Sequence, residues 1–171
     1  DGSNRLLTKT EAFGTGLAKT TTLTYSGSLR SPATIVEPTV VGSAPHTRTT
    51  TTTRNSDGRL TGVVISTSSG EPSRSTSYSY NGDGLLSSFE NAKGVVTDYV
   101  YNSAGQVVEI TEAVGTALER TTFINSYSNS GQPTSVTFPN SITVFSTWSD
   151  SGKLLSTTTP GHGVISYEYD D

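Results

Sequence analysis

Few residues in this sequence have the types and spacing that catalysis requires. A histidine could act as general base for a serine nucleophile, but His46 and His162 are the only histidines. His162 lies in Pro160-Gly161-His162-Gly163, where glycine and proline favour a turn tip. Ser149-Asp150-Ser151-Gly152 has the outline of a nucleophile loop, yet it falls at a turn that recurs along the chain. We interpret both histidines as solvated loop residues and Ser149 as a turn residue, and we predict no enzymatic activity.

Two other segments could bind ligands through turn residues. Gly14-Thr15-Gly16-Leu17-Ala18-Lys19-Thr20 has the outline of a phosphate loop, but Ala18 stands where glycine is needed. The following Thr21 to Tyr25 predicts a strand where a helix should begin. Asn81-Gly82-Asp83-Gly84, or Asp170-Asp171 joined to an Asp1, offers oxygen ligands to calcium without a twelve-residue loop and its closing Glu. We interpret these segments as ordinary turns and expect no metal and no cofactor.

Composition restricts the class of protein further. Hydrophobic residues make up 31% of the chain, whereas 30 Thr and 26 Ser carry small hydroxyl groups. Such a chain is disordered or forms a sheet with a solvated face, and its periodic Tyr and Val residues favour the sheet. The net charge of -4 and the scattered Lys and Arg residues predict no nucleic-acid partner. No apolar run approaches the roughly 18 residues of a membrane span. The absence of cysteine suits an extracellular or cell-surface protein.

An internal repeat organises the chain. Its signature is an aromatic residue followed four positions later by glycine, as in Tyr80-Asn81-Gly82-Asp83-Gly84. The first residue of each signature, here called the lead residue, falls at positions 54, 80, 101, 127 and 148, and another aromatic follows at 169. Arg54 replaces the aromatic in the first signature. The intervals of 26, 21, 26, 21 and 21 residues are typical of proteins whose repeats stack on one another.

Each repeat predicts a β-hairpin. Before a lead residue, aromatic and small residues alternate, as in Ser77-Tyr78-Ser79-Tyr80 and Tyr167-Glu168-Tyr169, which places rings on one face of a strand. The Asn, Asp, Ser and Gly residues that follow favour a tight turn. An apolar residue two positions after the glycine, such as Leu60 or Leu86, begins the return strand. Second turns that connect the hairpins are expected near Gly70, Gly94, Gly115, Asn140 and Gly161.

The sequence therefore predicts an all-β fold, in which tandem hairpins form a twisted antiparallel sheet wound as a β-solenoid or partial β-shell. We expect residues 1–171 to form a single repeat domain, with weak repeats over 1–45 and clear ones over 46–171. The expected turn glycines are Gly58, Gly84, Gly105, Gly131 and Gly152. The aromatic residues expected to form a ladder that packs repeat on repeat are Tyr78, Tyr80, Tyr99, Tyr101, Tyr127, Trp148, Tyr167 and Tyr169. These rings could instead stack on sugars, so a strip that binds surface glycans is an alternative.

The run from Tyr78 to Leu86 has the pattern Tyr-x-Tyr-(Asp/Asn)-x-x-Gly-x-Leu, which resembles the YD repeat of Rhs proteins, toxin-complex shell subunits and teneurins. The resemblance covers residues 46–171 well and residues 1–45 weakly, through Tyr25 and Asp1-Gly2. It implies a non-catalytic structural role, because members of this family wind many repeats into a hollow β-shell, often around a C-terminal toxin. The chain could therefore be a wall segment of such a toxin-encapsulating cocoon.

The chain departs from this family at the residue after the aromatic. Aspartate occurs there only as Asp170, while the other repeats hold Asn55, Asn81, Asn102, Ser128 and Ser149. The aspartate motif with which some members cleave themselves has no counterpart in this sequence. The six repeat positions and Tyr25 are together too few to close a shell, so the resemblance implies a shell role only as part of a larger protein.

The two ends of the sequence fit one another. Asp1-Gly2 has the form of a repeat's tail, and Tyr169-Asp170-Asp171 has the form of a repeat's head. Joined, they read Tyr-Asp-Asp-Asp-Gly, with glycine four positions after the aromatic. We therefore expect other copies of the chain, or adjoining YD repeats, to be its partners end to end, as in an extracellular fibre. An excision from a larger repeat protein would explain the match equally well.

Overall fold

The computed structural model describes residues 2–13, 17–41 and 44–170. These residues form strands joined by turns and contain no helix, which confirms the predicted all-β class. Thr, Val, Ile and Tyr fit the pleated surface of a sheet, and the glycine-containing turns interrupt them every few residues. The strands are β1 Thr8–Phe13, β2 Leu17–Thr24, β3 Thr34–Val41, β4 Ala44–Arg54, β5 Leu60–Thr67, β6 Arg74–Tyr80, β7 Leu86–Glu90, β8 Val96–Tyr101, β9 Val107–Glu112, β10 Arg120–Tyr127, β11 Pro133–Thr137, β12 Thr143–Trp148, β13 Leu154–Thr159 and β14 Gly163–Ser166.

The strand order in the sheet is the order of the chain, from β1 to β14. This follows from the short connections, because a tight turn can join only antiparallel neighbours. The strands fall into two compact units. One comprises Asp1–Ser79 with Glu90–Gly94, and the other comprises Tyr80–Phe89 with Val95–Asp171.

The two faces of the sheet in the second unit differ in chemistry. On one face, hydroxyl groups bond each other across neighbouring strands, as between Thr137 and Thr143 at 2.8 Å and between Thr147 and Ser156 at 2.7 Å. The opposite face is aliphatic and aromatic, with the cross-strand pairs Tyr99–Ile110 in β8 and β9, Ile124–Val136 in β10 and β11, and Val136–Val144 in β11 and β12. Alternation with period two produces this separation.

The first unit alternates in the same way. Leu23, Ile35, Thr50 and Ile65 are successive cross-strand partners in β2 to β5. The neighbouring residues of each strand carry mainly hydroxyl groups to the other face. The five threonines from Thr49 to Thr53 lie within β4, so they alternate between the two faces.

Very few side chains in the sheet are buried. Among the described residues, only Ile124 and Ser135 are buried, each with 8% of its surface exposed. The chain has 11466 Å² of accessible surface, whereas a compact folded monomer of this mass has about 8,000 Å². The fold therefore depends more on hydrogen bonds between neighbouring strands and repeats than on a buried core.

Two details of the sequence interpretation were wrong. Tyr167-Glu168-Tyr169 was expected to form a strand, but β14 ends at Ser166 and these three residues have no strand conformation. His46 was expected in a loop, but it lies in β4, opposite Thr39 of β3. The pairing between β3 and β4 extends beyond His46 and Pro45 to Val41 and Ala44, so His46 lies within a paired strand.

Candidate functional site: the contacts between repeats

The turn after each lead residue has a recurring structure. In the repeat of Tyr101, the Asn102 N–H donates to the Gln106 carbonyl at 2.9 Å, and the Gly105 N–H donates to the Asn102 carbonyl at 3.0 Å. Gly105 has a φ of 76°, a conformation in which a Cβ atom would crowd the backbone. The other four turn glycines share it, with φ of 79° at Gly58, 78° at Gly84, 85° at Gly131 and 81° at Gly152.

The residue that follows the lead residue stabilises this turn through hydrogen bonds from its side chain to the backbone. Asn102 Oδ1 accepts hydrogen bonds from the N–H groups of Ala104 and Gln106, both at 3.0 Å. Asn55 and Asn81 accept the same pair of bonds in their own turns. The position therefore needs an acceptor oxygen, which explains why asparagine can replace the aspartate of the YD pattern. In the last two complete turns, Ser128 Oγ and Ser149 Oγ accept from the final N–H of the turn, at 3.1 and 3.0 Å.

A β-bulge follows the same turn in four repeats. Tyr101 pairs with Val107, but the preceding Val100 pairs with Glu109, so Val108 is an extra residue in β9. The same shift occurs beside Arg54, Tyr127 and Trp148. A bulge disrupts the regular ladder of backbone hydrogen bonds, which leaves backbone groups available to other partners.

Aromatic side chains connect one repeat to the next through backbone carbonyls at the start of the preceding return strand. In four of these aromatic residues, the side-chain donor bonds the carbonyl of the residue six positions after the preceding lead residue, which we call the anchor carbonyl. The bonds run from Tyr101 Oη to Leu86 at 2.7 Å, from Tyr127 Oη to Val107, from Trp148 Nε1 to Pro133 at 2.8 Å and from Tyr169 Oη to Leu154 at 2.8 Å. Each of these hydrogen bonds thus joins one repeat to the repeat before it.

The environment of Tyr101 and Tyr127 favours the neutral form of their phenols. Burial raises the pKa of Tyr127, and burial followed by the neighbouring Tyr99 raises the pKa of Tyr101. A higher pKa stabilises the neutral phenol, which is the form that donates a hydrogen bond to the anchor carbonyl. The first unit contains a related contact, in which Tyr25 Oη donates to the Leu6 carbonyl at 2.8 Å.

The other aromatic residues of the expected ladder are arranged less uniformly. Tyr78 and Tyr80 lie in β6, Tyr99 lies in β8, and all three are half-buried. Tyr167 and Tyr169 are exposed beyond the end of β14. Lys153 Nζ lies 5.1 Å from the centre of the Tyr169 ring, within the range of a cation–π interaction. Sequence reasoning missed the anchor carbonyls, although their constant place six residues after a lead residue is visible in the repeat.

The residues considered for catalysis take part in turn and strand contacts. Ser149 Oγ bonds Ser151 Oγ at 2.9 Å as well as the backbone of its turn. His162 lies in an exposed turn between β13 and β14. His46 Nδ1 lies 3.4 Å from Ser68 Oγ. These contacts account for all three residues as parts of the sheet and its turns.

The segments considered for phosphate and metal binding are only partly described. Gly14, Thr15 and Gly16 lie outside the described residues, and Thr21 to Thr24 belong to β2, as predicted. Asp1 and Asp171, the carboxylates of the end-to-end junction, also lie outside them. Within residues 2–13, 17–41 and 44–170, no group of three or more His, Asp or Glu side chains is placed to hold a metal ion.

The described part of the chain has no helix with the length and apolar character of a membrane span.

Comparisons with known proteins agree with this geometry. The model of the RHS Repeat family matches residues 80–117. The crystal structure of TcdB2-TccC3-Cdc42 has a similar fold, with a TM-score of 0.65 and 16% identity over 97% of this chain. That of TcdB2-TccC3-TEV gives a TM-score of 0.57 and 15% identity over 91% of this chain. The chain spans 9% and 10% of the lengths of these two solved chains. No curated protein matches it.

The family match begins at the lead residue Tyr80 and extends past the next lead residue, Tyr101, through the end of β9. It therefore includes two complete turns and the contact from Tyr101 to Leu86. Together with the fold of the two solved chains, this confirms the resemblance drawn from the sequence: residues 80–117 carry an RHS repeat, within an all-β chain that shares the fold of those structures.

Proposed function

We propose that this chain is a non-catalytic structural module whose sheet continues into further copies of its repeat. The continuation takes place end to end with other copies, as in an extracellular fibre, or within a longer secreted or cell-surface protein. The observation that carries the proposal is the series of hydrogen bonds that Tyr101, Tyr127, Trp148 and Tyr169 donate to the preceding anchor carbonyls. A repeat built in this way is completed by its neighbours.

The edge of the sheet at β14 supports this proposal. Its four residues are all exposed, with Val164 at 62% and Ile165 at 61%. An edge strand offers unpaired backbone groups to another strand, and an apolar edge without charged residues does so most readily.

Two measurements test the continuation of the sheet. Sedimentation velocity over a wide range of concentration should reveal oligomers that grow with concentration, and negative-stain microscopy should reveal linear assemblies. A covalent tandem of two chains should unfold with a larger free energy than two separate chains, because the junction adds an interface. A chain that stays monomeric at high concentration, together with a tandem that unfolds like two independent copies, would contradict the proposal.

A matched pair of variants locates the contact. Ile165→Lys places a charge on the β14 edge, which should suppress oligomers because charged edge residues oppose strand pairing. Leu118→Lys is the control, since Leu118 is 80% exposed but lies in the turn between β9 and β10. It should leave the oligomers unchanged. Equal loss of oligomers in both variants would indicate general solubilisation instead of a specific edge contact.

The fold favours one particular setting for such a module. Its similarity to the TcdB2-TccC3-Cdc42 structure over 97% of this chain supports a role as a wall segment of a larger β-shell, as in a toxin-encapsulating cocoon. The test is the natural full-length protein: many further repeats before a separate C-terminal domain would support the wall role. A full-length protein without further repeats would contradict it.

A glycan-binding strip receives less support from the ring contacts. Tyr101, Tyr127 and Trp148 direct their polar atoms to backbone carbonyls and are half-buried. A glycan array with the wild-type chain and Trp148→Ala tests this alternative. Binding that disappears in the variant, while its circular dichroism spectrum is retained, would favour the glycan role over the purely structural one.

A further inference from the structure

One repeat carries arginine at its lead position, and the contact made there differs from those of the aromatic residues. Arg54 Nη1 donates to the carbonyl of Gly58, in its own turn, at 2.9 Å. The stretch after Tyr25 also departs from the repeat signature, because Gly27 follows the ring by two positions and the carbonyl of Pro32 accepts a hydrogen bond from Thr52 Oγ1 at 2.8 Å. Arg54 therefore bonds within its own hairpin, and the neighbouring Thr52 makes the side-chain bond to the preceding connection.

A cavity of about 300 Å³ lies beside Arg54. Ser31 is in its wall, together with Ser26, Leu29, Pro32 and Thr53. The cavity thus lies between the turn after Tyr25 and β4. Its volume is at the lower end of the range of small-molecule sites, about 300 to 1,000 Å³.

The charge of this cavity favours an anion. Arg54 is the only charged residue among those that line it. Arg5 does not line the cavity but contacts the turn that contains Leu29, where its Nη1 donates to the carbonyls of Gly27 at 2.6 Å and Leu29 at 3.2 Å. It holds this turn and adds a second positive charge nearby.

Arg54 also carries a donor without an acceptor. Its Nε atom is buried and has no hydrogen-bond partner among the described residues. Buried donors in proteins are nearly always paired, so an orphan of this kind calls for an explanation. In arginine, Nε and Nη2 form the side of the guanidinium that binds a carboxylate through two parallel hydrogen bonds. A small turn of the side chain toward the cavity would allow a carboxylate to pair with both.

We propose that this cavity binds a small hydroxylated carboxylate, of the class of a uronic acid. The carboxylate pairs with Arg54, the sugar hydroxyls bond Ser26 and Ser31, and the C–H face of the ring packs on Leu29 and Pro32. A free uronate and a uronate unit of a glycan share this chemistry. The site lies within the first unit, so it does not depend on end-to-end continuation of the sheet.

Nuclear magnetic resonance titration of the full chain tests the site with D-glucuronate and methyl β-D-glucuronide as probes. Saturable shifts of the amides near Ser26, Ser31 and Arg54 are expected with a Kd of about 1 mM. If the site accepts only the free acid, the glucuronide will not bind, whereas binding of both identifies a site for glycan units. D-glucose and acetate should each bind more than about tenfold more weakly, since each lacks one part of the recognised chemistry.

Variants assign the binding to Arg54. Arg54→Tyr restores an aromatic lead residue and fills the cavity, so it should abolish binding and raise the melting temperature. Arg54→Lys keeps the charge but loses the paired donors, so it should weaken binding by about tenfold. Arg59→Gln, in the same hairpin but outside the cavity lining, should bind as the wild type does. Binding unchanged in Arg54→Tyr, equal binding of glucose, or no saturable binding of either glucuronate probe would overturn the proposal.

Discussion

At the scale of single residues, the side-chain oxygen of the residue after each lead residue determines how many backbone N–H groups of the turn are hydrogen-bonded. Asparagine reaches two N–H groups, as Asn102 does with Ala104 and Gln106. Serine has a shorter side chain, and Ser128 accepts from the N–H of Gln132. Repeats of one protein thus differ in local stability although their backbones follow the same course.

We expect Asn102→Ala to lower the free energy of unfolding by about 1–2 kcal/mol, because two backbone N–H groups lose their acceptor. Ser128→Asn should raise it by up to about 1 kcal/mol, because a second N–H gains one. Urea unfolding followed by circular dichroism measures both changes. A stabilising effect of Asn102→Ala would show that these bonds do not hold the turn.

The phenol of Tyr127 links the contacts between repeats to pH. Burial raises the pKa of this group above that of an unfolded tyrosine, so its contribution is complete below the unfolded pKa and is lost as pH rises through the folded pKa. The unfolded pKa is about 10, so stability should fall above about pH 10.

Tyr127→Phe removes the donor to the Val107 carbonyl. The variant should be less stable at neutral pH by about 1 kcal/mol, and it should lose less stability between neutral and alkaline pH. Urea unfolding at several pH values measures this; the same alkaline loss in both proteins would contradict the assignment.

At the scale of the strand and turn, much of the fold could be predicted from the sequence. Leu60, Leu86, Val107 and Leu154 were each expected to begin a return strand, and they begin β5, β7, β9 and β13. Alternation with period two and glycine at a fixed position are local signals, and both act within a single hairpin.

The contacts between hairpins could not be predicted in the same way. A bulge at Val108 changes which residues of β8 and β9 face each other, and nothing in the alternation of Val107 and Val108 marks it. The anchor carbonyls are backbone atoms, so their role depends on how neighbouring repeats lie side by side. For the same reason, the position of His46 in a strand depends on its pairing with β3 and not on its own neighbours in sequence.

The turn of Tyr80 offers an internal comparison between two glycines. Gly84 has a φ of 78°, whereas Gly82 lies outside the positive-φ region and would have nothing within 4 Å of an added Cβ. Gly84→Ala should therefore cost about 1 kcal/mol or more, because alanine resists the left-handed conformation. Gly82→Ala should be neutral or stabilising by up to about 1 kcal/mol, because it restricts the unfolded chain. Thermal unfolding of the two variants measures the difference, and equal destabilisation would contradict this account of the turn.

At the scale of the whole molecule, the uncovered sheet has a thermodynamic consequence. The dependence of unfolding free energy on denaturant concentration, the m-value, scales with the surface that unfolding exposes. Only Ile124 and Ser135 are buried among the described residues, and 11466 Å² of surface is already accessible in the folded chain. The m-value in urea should therefore be lower than that of a compact globular protein of 171 residues. Parallel urea titrations of this chain and such a protein, followed by circular dichroism at low protein concentration, measure the difference. An m-value equal to that of the compact protein would mean that the sheet in solution covers its apolar face, and it would remove the main reason for the module to need neighbouring repeats.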